Sequence, residues 1–197
     1  MRTSADLEHA QAHPIATVAK ALGLAALMSL APTAQAACSA LLDRSFARLQ
    51  DEKPQDLCQY AGKVVVVVNT ASYCGFTPQY KGLEALSSRY GPRGLVVLGF
   101  PSNDFGAQEP GSNQDVAAFC ENTYGVKFPM FAKSSVKGSA SNPLFADLAK
   151  RAGKEPGWNF HKYVIGRDGQ TVLSFGSMVD PQSRGFVTDI ERLLNVR

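Results

Sequence analysis

Residues 62–78 read Gly62-Lys63-Val64-Val65-Val66-Val67-Val68-Asn69-Thr70-Ala71-Ser72-Tyr73-Cys74-Gly75-Phe76-Thr77-Pro78. Five successive β-branched residues without polar alternation predict a strand covered on both faces. Thr77 and Pro78 then predict an N-cap and a first-turn proline for a helix. Tyr80, Leu83, Leu86 and Tyr90 give that helix an apolar face, and Gly91-Pro92 stops it. Cys74 therefore falls in a strand-to-helix loop, at the carboxyl end of a buried strand, where α/β folds place their sites.

Working outward, residues 94–100 predict a second buried strand. A loop over 101–111 leads to Ser112, the cap of a helix carrying Val116, Phe119, Cys120 and Tyr124 on roughly one side. Asn142-Pro143 starts a shorter helix that ends before Gly153. Residues 160–165 and 171–175 flank Arg167-Asp168-Gly169-Gln170, a hairpin turn with the Asp-Gly signal, and a final helix covers 185–196. This order suits an α/β fold, a central mixed sheet flanked by helices, and it matches a thioredoxin-like core.

At 197 residues the chain has room for one domain with a substantial core. A hydrophobic fraction of 45% and a charged fraction of 19% are those of an ordinary globular protein. A net charge of +3 with scattered basic residues points to no nucleic-acid partner and no polybasic membrane patch. The first segment has another character. An apolar run from Ala21 to Ala31 follows Lys20, and Pro32 and Ala34-Gln35-Ala36 come after it, the layout of a secretory signal cleaved after Ala36. The run is shorter than the about 18 residues of a stable membrane span. The expectation is a signal peptide over 1–36, a single domain over 37–197, and export, to the periplasm or as a secreted protein.

Export would place Cys38, Cys58, Cys74 and Cys120 where disulfides persist. Four cysteines allow three pairings, and the spacing alone does not choose among them. Cys38 and Cys58 read either as a structural disulfide or as two free thiols. Cys74, close to unpaired helix N–H groups and the positive end of a helix dipole, is placed to react as a thiolate. A thiolate attacks a peroxide oxygen and becomes a sulfenic acid. A disulfide oxidoreductase would carry a second cysteine three residues on, where this chain has Thr77. Cys120 reads either as a second reactive thiol or as a small apolar core residue. His9 and His13 lie in the signal-like segment and His161 stands alone, so the histidines suggest no metal cluster.

Four stretches, GKVVVVVNTASYCGFTPQYKGLEAL at 62–86, GFPSNDFGAQEPGS at 99–112, FCENTYGVKFPMF at 119–131 and WNFHKYVIGRDG at 158–169, together resemble the glutathione peroxidase family. The resemblance implies a thioredoxin-like fold and a peroxidase of the glutathione peroxidase type, active on hydrogen peroxide and on organic or lipid hydroperoxides. It implies a catalytic set of Cys74, Gln108, Trp158 and Asn159, with no cofactor beyond a thiol reductant. An amide and an indole are neutral donors suited to a thiolate and to a departing hydroxide or alkoxide. Cys120 matches the resolving cysteine of thioredoxin-reduced members, which implies a Cys74–Cys120 disulfide in the oxidised protein and leaves Cys38 to pair with Cys58. The reductant would be a thioredoxin-like protein, with glutathione as the alternative. Ser102 stands where many relatives have Cys, which leaves Cys120 as the clearer resolving thiol. Ser174 stands where relatives often have Arg, which with the unusual loop from Ser177 to Arg184 weighs against recognition of anionic glutathione. The short stretch between Phe145 and Trp158 implies a monomer. A peroxide sensor that relays its disulfide to a partner protein is the alternative function.

Overall fold

The computed structural model describes residues 37–196. The signal-like segment 1–36 lies outside the described residues. The valine run becomes β3, Val64–Thr70, with every residue buried. It pairs in parallel with β4, Leu95–Pro101, in the register Val64↔Leu95 to Thr70↔Pro101. On its other side it pairs antiparallel with β5, Lys162–Ile165, which pairs antiparallel with β6, Val172–Phe175. The sheet order is β4-β3-β5-β6. A parallel βαβ unit joined to an antiparallel hairpin in this order is a thioredoxin-like, mixed α/β sheet.

Strand periodicity divides the core in two. Val64, Val66 and Val68 face one side, where they join Tyr80, Leu83 and Leu86 of α1, Gln79–Tyr90, and Phe186, Ile190 and Leu193 of α4, Arg184–Asn195. Val116 and Cys120 of α2, Asn113–Tyr124, belong to the same cluster. Val65 and Val67 face the opposite side with Leu144, Phe145 and Leu148 of α3, Pro143–Ala152. Complete burial of a valine or leucine side chain is worth about 1.5–3 kcal/mol, so the seven-residue span of β3 anchors both layers.

A short hairpin of β1, Ser45–Ala47, and β2, Pro54–Asp56, precedes the sheet, followed by a 3-10 turn at Leu57–Tyr60. Cys58 in that turn forms a disulfide with Cys38, with Cα atoms 5.2 Å apart. Leu41, Leu42, Leu57 and Tyr60 cover the α3 side of the core, so the disulfide ties the start of the described chain to a packed layer.

The helix expected after Cys74 starts later than the sequence suggests. Pro78 occupies the cap position of α1 without a side-chain cap bond. Thr77 is not the N-cap: its hydroxyl accepts from the Cys74 N–H at 3.0 Å and donates to the Ala71 carbonyl at 2.9 Å. Its hydroxyl closes the loop behind it, which leaves no oxygen to cap the helix ahead. Ser112 does cap α2, in a reciprocal capping box with Asp115. Asn142 caps α3, which ends at Gly153 in the left-handed conformation.

Candidate active site

Cys74 is buried at the carboxyl end of β3, in a chain of turns that leads into α1. Thr77 N–H donates to the Cys74 carbonyl at 3.0 Å, and the Phe76 N–H points at Cys74 Sγ at 3.4 Å. The nearest backbone donor to the sulfur thus belongs to the loop rather than to the first turn of α1. Thr77 Oγ1 holds the Cys74 backbone from the inside, so both ends of the loop are fixed while the thiol stays free.

Two further loops meet this one. The carbonyl of Gln108 accepts from the Tyr73 N–H at 3.1 Å, which places the 101–111 loop beside Cys74. Asn159 Nδ2 donates to Gln108 Oε1 at 2.9 Å, and Asn159 is fully buried. With its Oε1 engaged, Gln108 can turn its own amide N–H groups elsewhere. The Trp158 ring packs against Phe105 at 5.8 Å between centroids and remains 40% exposed. Ala107 has φ 51° and Phe160 has φ 60°. The residues next to Gln108 and Asn159 therefore hold left-handed backbone at a cost of about 1–3 kcal/mol each, the sort of strain that collects at functional sites.

Asn69, five residues before Cys74, is the post that ties these loops together, and sequence reasoning passed over it. Its Nδ2 donates to the Trp158 carbonyl at 3.2 Å and its Oδ1 accepts from the His161 N–H at 3.1 Å. Its carbonyl accepts from the Phe160 N–H at 2.7 Å. The polar pair Asn69-Thr70 closing a buried run of valines was the available signal, since a buried amide must find partners.

Cys120 is the other free thiol among the described residues and is also buried. It lies in the same apolar cluster as Cys74, and its thiol donates to the Tyr80 hydroxyl of α1 at 3.4 Å. Burial pushes its pKa up to about 11, the charge of Glu109 adds to the rise, and the Tyr80 hydroxyl offsets part of it. In this packing Cys120 is a neutral, weakly nucleophilic thiol.

A loop over residues 176–183 borders the site. Gln79 Nε2, at the start of α1, donates to the Ser177 carbonyl at 2.7 Å. Lys162 Nζ, three residues beyond Asn159, donates to the Val179 carbonyl at 2.6 Å. Burial lowers the Lys162 pKa to about 8, partly offset by Asp180. This loop presents Met178, 87% exposed, and Tyr73 beside Cys74 is 69% exposed. Ser174 Oγ lies 3.0 Å from His161 Nε2. Cys38, Asp43 and Cys58 are grouped closely enough to suggest a metal site, but the disulfide occupies both sulfurs.

A free thiol at the strand-to-helix turn of a thioredoxin-like sheet is the arrangement of a thiol-based oxidoreductase. The model of the glutathione peroxidase family matches residues 43–149, and the chain belongs to that family. The hydroperoxy fatty acid reductase gpx1 of Synechocystis sp. is 44% identical over 158 residues, covering 75% of this chain and 92% of that protein. The glutathione peroxidase-like peroxiredoxin gpx1 of Schizosaccharomyces pombe is 47% identical over 150 residues, covering 74% and 93%. Among solved structures, that of Trgpx in its apo form superposes with a TM-score of 0.64 at 34% identity, covering 81% of this chain and 98% of that one. The protein is a thiol peroxidase.

Proposed function

We propose that the enzyme reduces hydroperoxides in a two-step cycle centred on Cys74, with Cys120 as the resolving thiol. The observation that carries this reading is the convergence of a free Cys74 thiol, a backbone N–H aimed at its sulfur, and the Gln108–Asn159 amide pair beside the same loop. In the first step the Cys74 thiolate attacks one peroxide oxygen. An S–O bond forms, the O–O bond breaks, and the hydroxide or alkoxide leaves with a proton as water or alcohol. Gln108 and the Trp158 indole are the neutral donors for that leaving oxygen, and Asn159, whose amide donates to Gln108 Oε1 and the Phe105 carbonyl, orients the Gln108 amide.

In the second step Cys120 displaces water from the sulfenic acid to give a Cys74–Cys120 disulfide, which a thioredoxin-like protein reduces by thiol exchange. The Ser174 and His161 pair offers no fixed cation to a glutathione carboxylate, which supports the protein reductant. The exposed apolar side chains of Tyr73, Trp158 and Met178 favour organic and fatty acyl hydroperoxides alongside hydrogen peroxide. Export to the periplasm, with loss of residues 1–36, is supported by the signal-like sequence and by the Cys38–Cys58 disulfide, which persists in an oxidising compartment. The short Phe145–Trp158 connection supports a monomer.

Steady-state peroxide consumption with a thioredoxin-like reductant tests the cycle. Wild type is expected to turn over many equivalents, Cys74→Ser none, and Cys120→Ser only when a small thiol replaces the protein donor. Full turnover of Cys120→Ser with the protein donor would remove Cys120 from the cycle. A single turnover followed by transfer to one defined partner would favour a peroxide relay.

A further inference from the structure

The cycle above leaves a chemical difficulty at Cys120. Its thiol must lose a proton to attack the sulfenic acid, yet burial pushes its pKa up to about 11. A buried thiol in that state needs a base close by, and the Cys74 loop and α2 offer one between them.

Glu109 is fully buried, and neither carboxylate oxygen has a hydrogen-bond partner of full geometry; the Ser72 hydroxyl and N–H approach it only loosely. An unpaired buried carboxylate is costly and uncommon in a structural role. Its backbone is held firmly, because its N–H donates to Asn103 Oδ1 at 2.8 Å and its carbonyl accepts from Lys133 Nζ at 3.1 Å. The side chain lines a small pocket. One wall is Ser72 and Tyr73, the two residues before Cys74. The other is Val116 and Phe119, the residues one turn and one position before Cys120 on α2. The pocket thus lies between the segments that carry the two sulfurs, with an unsatisfied carboxylate in its lining.

We infer that Glu109 is the proton acceptor for Cys120 in the resolving step. The inference rests on Cys120 as the resolving cysteine. Glu109 removes the proton from the Cys120 thiol, the sulfur attacks Cys74, the S–S bond forms and the S–O bond breaks. The departing hydroxide takes the proton from Glu109 and leaves as water, so Cys74–SOH and Cys120–SH become the disulfide and water with no net proton exchange. The groups around the carboxylate suit the task. Burial raises its pKa, which makes it a stronger base than an exposed carboxylate, while Ser72 and the Lys133 ammonium oppose that rise. Its charge acts on both Cys120 and Tyr80. Asp115, also at the pocket, is committed to the α2 capping box and has a lowered pKa.

The test separates the two steps in the full chain. After one equivalent of hydrogen peroxide, stopped-flow fluorescence of Trp158 and quenching with dimedone at timed intervals report sulfenic acid formation and its conversion to the disulfide. In Glu109→Gln the loss is expected to fall on the conversion, slowed by ~100-fold, with dimedone-labelled Cys74 accumulating. Its rate should also lose the rise with pH that belongs to the carboxyl group and keep only the rise toward the thiol's own range. Glu109→Asp, which retains the carboxyl one methylene further back, should fall between the two, and it carries the test if Glu109→Gln does not fold. Conversion in Glu109→Gln at the wild-type rate and with the wild-type pH profile would overturn the role of Glu109. If Cys120→Ser still converted its sulfenic acid to an internal disulfide, the resolving role of Cys120 itself would fail, a separate outcome.

Discussion

Thr77 stands where a dithiol enzyme would carry its second cysteine, and its hydroxyl bonds the Cys74 N–H and the Ala71 carbonyl at once. Replacing it by valine keeps the shape and leaves a buried N–H and a buried carbonyl without partners. Thr77→Val is expected to lower stability by about 2 kcal/mol in urea unfolding and to slow the reaction of Cys74 with peroxide in single-turnover kinetics. The loops that carry Cys74, Gln108, Trp158 and Asn159 were legible in the sequence because their motifs are local. The part played by Thr77 was not, because a Thr-Pro pair reads as a helix start until the partners of its hydroxyl are seen. His161 makes a second test at this scale. Burial first, then the charges of Lys154 and Lys162, push its pKa down to about 4. The unfolded chain binds a proton near pH 6.5, so between 6.5 and 4 it holds more protons than the folded protein, and stability falls as pH drops through that window. The loss amounts to about 3 kcal/mol across it. His161→Gln should flatten that limb when unfolding midpoints are compared at pH 7, 5.5 and 4, whereas an unchanged limb would assign it to other groups.

α2 is held to the core by little. Val116 and Cys120 are its buried residues, and the rest of the helix faces outward or is partly covered. Its ends are well made, with the Ser112 and Asp115 capping box at one and Gly125 in the left-handed conformation at the other. Beyond it, the Glu84 carboxylate of α1 accepts from the Lys127 N–H at 2.8 Å. Such an element opens more readily than α1 or β3, whose faces are buried along their length. Withdrawing Cys120 from beneath Tyr80 removes half of its buried anchor. Hydrogen exchange over residues 112–126 is therefore expected to rise when the protein is oxidised by peroxide, and identical exchange in the two states would contradict this. The helices and the four central strands were visible in the sequence through periodicity, caps and the valine run. The β1–β2 hairpin was not, because three residues per strand are too few to show an alternation, and its burial is partial. The meeting of the 101–111 and 158–161 loops was also hidden, since it depends on Asn69 reaching across 89 residues to the Trp158 carbonyl.

For the molecule as a whole, the four cysteines divide into the bonded pair Cys38–Cys58 and the two free thiols, Cys74 and Cys120, on which the proposed cycle runs. A double Cys38→Ser, Cys58→Ser variant is expected to lose about 3 kcal/mol of stability, from the loop-closure contribution of a bridge spanning 20 residues, while peroxide turnover at 25 °C persists. Loss of turnover with the fold retained would move that disulfide into the reaction. The same division supplies the most direct test of the central claim, the mass and disulfide map of the protein after one equivalent of peroxide. The expected result is the loss of two hydrogens, a new Cys74–Cys120 linkage, and an unaltered Cys38–Cys58 linkage. Oxygen retained on Cys74 with Cys120 still free, or a new bond involving Cys38 or Cys58, would contradict it.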